Sequence, residues 1–124
     1  MQTRALDIPT NRPISPGQHA VLDYGVAATF FAMSVAMRRH RPAAALAVAN
    51  GVMVLGMSLL TDYPGGVYRK LSFRGHRTGD IVQAALAGLG PVIFGFAGDR
   101  EAKFFYGQAC SEVGVIAATD WNAA

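Results

Sequence analysis

The chain is poor in charge and almost without cysteine. Charged residues make up 15% of its 124 positions, against roughly 25% in soluble proteins. The single cysteine, Cys110, excludes an intrachain disulfide. No Gly-rich phosphate loop, nucleophile elbow or Cys-x2-Cys pair is present, so nucleotide, serine-hydrolase and zinc-ribbon chemistry lack their usual signatures. A net charge of +3 is too small to signal nucleic acid. Residues 1–18 are polar and hold three prolines, unlike the apolar core of a signal peptide.

What charge there is falls unevenly. Pro42 to Leu60 carries none at all. A helix of a soluble bundle needs a charged outer face, so this stretch points to a membrane. Four windows have suitable length and polarity, at about 20–37, 43–60, 80–97 and 102–119, each near the roughly 17–25 residues a spanning helix requires. They are rich in Ala and Gly, which suits close packing of helices in lipid. The Lys and Arg residues cluster beside the windows, where headgroups and the positive-inside bias account for them. They divide six to five between the two faces, so charge sets no orientation.

The chain also repeats itself. Ser15-x3-His19-x3-Asp23 returns as Ser72-x3-His76-x3-Asp80, displaced by 57 residues, and Thr61-Asp62-Tyr63 returns as Thr119-Asp120-Trp121, displaced by 58. Each copy encloses two apolar windows. The expected fold is therefore all-α: a four-helix transmembrane bundle of two tandem αα-hairpins, related by an axis along the membrane normal. An N-terminal arm covers 1–14, the first repeat 15–66 and the second 67–124, all in one membrane domain. Ser15, Pro16 and Gln18 form a capping box that starts the first helix. Pro91 is expected to kink the third helix, which should run over about 73–97. His40, in the basic run before Pro42, reads as a solvated loop residue, and Tyr63 and Trp121 suit an interfacial belt.

An even number of spans brings the starts of helices one and three and the ends of helices two and four to one face. His19, Asp23, Asp62, His76, Asp80 and Asp120 then form a candidate metal site there. His and Asp four apart share a helical face, and imidazole with carboxylate suits Zn, Mn or Fe, the divalent cofactors this set admits. Asp62 and Asp120 oppose the helix dipole, which calls for a positive partner. The expected ring joins His19 and His76 to Asp62 and Asp120. A polar stripe of Asn50 and Ser58 on one helix, and Gln108 and Glu112 on another, leads inward from it.

The tandem hairpins, with Gly90-Pro91-Val92-Ile93-Phe94-Gly95-Phe96 followed by Gly98-Asp99, resemble the SPW-repeat family of small bacterial membrane proteins. Gly90-Pro91-Val92 stands where that family has Ser-Pro-Trp, and the first half has Ser34-Val35-Ala36. The resemblance implies an integral, multi-pass protein of the bacterial inner membrane. The expected function is cation binding or proton passage, with the lipid bilayer as partner. Alternatives are a membrane-embedded metal hydrolase acting on lipid headgroups and a structural subunit of a homo-oligomer or larger membrane complex. Asp–His pairs that cap and tie the hairpins and bind nothing, and a bis-His haem, are further readings of the same residues.

Overall fold

A computed structural model describes residues 12–123; most of the expected N-terminal arm lies outside them. It holds four helices: α1 (Pro16–Ala36), α2 (Arg41–Leu60), α3 (Phe73–Ile93) and α4 (Ala102–Ala118). No strand is present among the described residues. Helix α1 packs on α2 and α3 on α4, and the two hairpins meet mainly through α2 and α3.

Local chemistry explains the boundaries. The Ser15 side chain accepts from Gln18 N while the Gln18 side chain accepts from Ser15 N, which closes the capping box. Ser72 caps α3 alone, accepting from Gly75 N. His40 is the N-cap of α2, its Nδ1 accepting from Ala43 N at 3.2 Å, so it is part of the helix start and not a free loop residue. Its Nε2 also meets Asp99 at 2.8 Å, and that hydrogen bond raises the imidazole above its usual pKa. The pair ties the α1–α2 corner to the α3–α4 turn.

Helix α3 ends four residues before the expected boundary. Gly95 adopts a positive φ of 79°, and Phe96 N and Gly95 N bond back to Pro91 O and Val92 O. This Schellman turn stops the helix just after Pro91, so the proline sits in the last turn instead of kinking the middle.

The connections are tied the same way in both halves. Leu71 lies beside Thr61, and Ile14 beside Thr119, as parallel bridges. Asp62 N donates to Leu71 O at 2.7 Å, and Asp120 N to Ile14 O at 2.9 Å. The end of each hairpin is thus stitched to the start of the other.

Buried polar groups and exposed apolar ones occur together with an apolar core. His19, His76, Asn50 and Ser58 are fully buried. Val21, Val35, Val52, Leu89, Ile93 and Val113 are each more than half exposed. At the far end, Phe30, Leu46 and Phe105 fill an apolar core. Gly90 leaves room there for Leu46, and Gly79 receives Met57, which lets α3 lie close to α2. Helices α1 and α2 are long and apolar enough to cross a membrane. Helix α4 has 17 residues and α3 opens with Arg74 and Arg77, so neither of them meets that measure.

Candidate metal centre

Ser-x3-His-x3-Asp is a helix start followed by one turn and then a second. His19 N donates to Ser15 O and His76 N to Ser72 O, the first bond of each helix. The histidines therefore sit one turn inside, and Asp23 and Asp80 one turn deeper on the same faces. Where α1 and α3 converge, the four side chains close into a ring. His19 Nε2 lies 3.3 Å from Asp23 Oδ1 and 2.9 Å from Asp80 Oδ2. His76 Nε2 lies 3.0 Å from Asp23 Oδ2 and 3.0 Å from Asp80 Oδ1. Each histidine faces both carboxylates and each carboxylate faces both histidines. All four residues are buried, and one donor atom from each falls within 4.8 Å of every other.

The outer nitrogens are also held. His19 Nδ1 is 2.9 Å from Thr119 Oγ1, and His76 Nδ1 is 2.6 Å from Thr61 Oγ1. Each threonine hydroxyl donates its own hydrogen to a carbonyl one turn back, Val115 O or Met57 O. A carbonyl can only accept, so the hydroxyl oxygen is left to accept from the ring. Each Nδ1 therefore carries the proton, and each Nε2 turns inward to the carboxylates. His76 Nε2 is within ion-pair distance of both aspartates yet makes a hydrogen bond of proper geometry to neither. A neutral Nε2 in this position aims a lone pair at the centre of the ring.

The spacing fits an ion. Zn–N and Zn–O distances near 2.0–2.1 Å place tetrahedral ligands roughly 3.3 Å apart, close to the separations in the ring. Two carboxylates balance the charge of one divalent cation. The threonines play the part of the outer groups that fix ligating imidazoles. The quartet can hold a metal ion.

A lid of aromatic rings closes the top. Trp121 lies 5.0 Å and Phe73 5.6 Å from the His19 ring, and Tyr63 lies 5.3 Å from that of His76. Tyr63 and Trp121 are 2% and 4% exposed, so they seal the site and do not form an interfacial belt. Tyr63 OH donates to Asp23 Oδ2 at 2.8 Å; burial, then the nearby carboxylate, pushes its phenol well above the ordinary tyrosine pKa, so it stays a donor.

Of the six expected ligands, the structure joins His19, Asp23, His76 and Asp80 and leaves Asp62 and Asp120 outside. Asp62 is exposed and 3.4 Å from Arg69, and Asp120 accepts from Asn122 N. The reason lies in the backbone. Thr61 and Thr119 are extended, with ψ 141° and 138°. Extended chain alternates its side chains, so threonine and aromatic point inward and the aspartate between them points out. The threonines and the lid were missed, although the repeated Thr-Asp-aromatic pattern was their signal. In the polar stripe, Gln83 Nε2 donates to Asn50 Oδ1 at 2.8 Å, a partner the sequence did not single out. Ser58 and Asn50 donate back to Val54 O and Leu46 O. Glu112 is buried, and Gln108 is half-buried beside it.

Comparison with protein-family models, characterised proteins and solved structures returns no match, so function rests on the site's own chemistry.

Proposed function

We propose that this chain is a small four-helix integral membrane protein that binds one divalent metal ion through His19, Asp23, His76 and Asp80. The observation that carries the reading is the convergence of two inward Nε2 atoms on two carboxylates, with both Nδ1 atoms committed to threonines. Imidazole in the donor set favours Zn, Mn or Fe over Mg or Ca. Four protein ligands leave no open position, which favours holding an ion over metal-activated hydrolysis of a lipid ester. A second reading has a specific basis. The separations of 2.9–3.3 Å are also those of ion pairs, and His19 Nε2 meets Asp80 Oδ2 at the 2.9 Å of a charged hydrogen bond. Two protons on the Nε2 atoms would then replace the ion and make the ring a neutral clasp between hairpins.

Metal analysis separates the two. Protein purified without chelator should carry one transition metal ion per chain and lose it to excess EDTA. Protein that stays metal-free after incubation with Zn, Mn and Fe(II) in turn would leave the clasp.

The membrane reading is supported by the length and composition of α1 and α2 and by the apolar outer surface on all four helices. In it α3 and α4 span as well, the apolar part of α3 beginning past Asp80. Cysteines placed singly at 15, 62 and 120 should label from one side of intact cells, and a cysteine at 39 only from the other. Labelling of 39 and 62 from the same side would overturn the four-span arrangement.

A further inference from the structure

Directly beneath the quartet lies a cavity of about 70 Å³ that the metal reading leaves unused. One water needs roughly 10–15 Å³ on this measure, so there is room for a small hydrated ion. The polar lining is Asp23, Asp80, Gln83, Ser111 and Glu112.

Glu112 is the decisive group. It is 8% exposed, and both carboxyl oxygens are shielded with no partner of hydrogen-bond geometry. Gln83 and Gln108 are its polar neighbours, and the Gln83 amide nitrogen gives one of its two hydrogens to Asn50. No ion pair among the described residues includes Glu112. A buried carboxylate without a partner is costly and calls for a compensating charge.

The chamber is also one-sided. The repeat offsets make Val26 the counterpart of Gln83 and Val54 the counterpart of Glu112, and both valines line the same cavity. A cavity left over from a repeated fold would be alike on both sides. Here, apart from the paired Asp23 and Asp80, the second half alone supplies the polar groups. The hairpins pack closely through α2 and α3, whereas α1 and α4 stand further apart. The cavity is lined by all four helices, with Leu22 from α1 and Ser111 from α4 among its residues.

We infer that the Glu112 chamber is a second cation site, selective for a hard ion such as Mg2+ or Mn2+. Its donors are oxygens only: the Glu112 carboxylate, the Gln83 amide oxygen, the Ser111 hydroxyl and the chamber-facing sides of Asp23 and Asp80. Such a set suits hard cations, which keep some of their waters, whereas the quartet above offers imidazole. The pairing of the two ions rests on the proposed metal reading of the quartet; the chamber's own donors do not.

The test is sequential loading. Purified protein saturated with Zn2+ is titrated with Mn2+ while free Mn2+ is followed by electron paramagnetic resonance. Wild type should retain one Zn and take up one Mn per chain. Glu112→Gln should retain Zn and bind Mn at least about tenfold more weakly; Ser111→Ala should bind it several-fold more weakly. The inference is overturned if Zn-loaded wild type takes up no Mn, or if Glu112→Gln binds Mn as wild type does. Should wild type hold no Zn, Zn is excluded as the quartet's ion while the chamber stays testable. Uptake of one Mn that survives His19→Ala but not Glu112→Gln would still establish the chamber, and loss in both variants would refute it. If Glu112→Gln misfolds and binds neither ion, Ser111→Ala decides: wild-type Mn affinity there overturns the inference.

Discussion

Replacing either histidine of the quartet should abolish metal binding, and replacing both should cost little more than replacing one. His19→Ala and His76→Ala are each expected to weaken the ion by more than the ~100-fold that loss of an outer-sphere partner can cost. The ring geometry forces this outcome. Each Nε2 touches both aspartates, and the four donors enclose space for a single ion. Removing one imidazole strands the other beside two carboxylates whose charge is no longer balanced. Breaking a buried charged network in this way destabilises by about 3–5 kcal/mol. A second removal then acts on a site already lost, so the effects should be strongly non-additive. Metal content and thermal stability of the two single variants and the double variant measure this directly. Two half-losses that add would mean that each histidine holds its own ion, and the shared ring would be wrong.

The ring was partly legible in the sequence, and the limit has a physical cause. Helical spacing is regular, so His19 with Asp23, and His76 with Asp80, could be placed on common faces from numbering alone. The repeat then brought both pairs to one end of the bundle. The Thr-Asp-aromatic segments lie just past the helix ends, where the backbone turns extended. Carrying helical periodicity one residue too far made Asp62 and Asp120 the inward groups. Applying the period of extended chain selects Thr61, Tyr63, Thr119 and Trp121, the residues the structure buries.

Other features follow from contacts that no local pattern encodes. Helix α3 ends early because Gly95 can take a left-handed conformation and Phe96 N reaches back to Pro91 O. The chamber was foreshadowed by Glu112 in the polar stripe. Its one-sidedness emerges only when the repeat offsets are applied to what lines the cavity. Helix α3 falls short of a spanning helix because Arg74, His76, Arg77 and Asp80, two of them ligands of the quartet, occupy its first two turns.

Gly66→Ala should damage the metal centre although Gly66 touches no ligand. A methyl group added there would land on the Thr61 carbonyl oxygen, closer than van der Waals contact permits, and would also crowd Thr61 C at 3.0 Å and Tyr63 O at 3.3 Å. All three are backbone atoms, so no rotamer change relieves the clash and the chain itself must move. That chain is held on both sides. Gly66 N donates to Tyr63 O, Val67 N to Leu59 O, and Asp62 N to Leu71 O. Relief therefore comes from displacing Thr61, whose hydroxyl lies 2.6 Å from His76 Nδ1, and Tyr63, which donates to Asp23. Overpacking of this kind costs about 1–3 kcal/mol or more, and disturbing the outer partner of a ligating histidine weakens metal binding about 10–100-fold. Gly114→Ala is the matched control, since nothing lies within 4 Å of its added methyl. It should bind metal as wild type does and gain up to ~1 kcal/mol from the better helix former. Metal titration of the two variants distinguishes a positioning role from general damage. If Gly66→Ala loses stability but keeps wild-type affinity, Thr61 does not hold His76 in place, and the threonine clamp on the quartet should be abandoned.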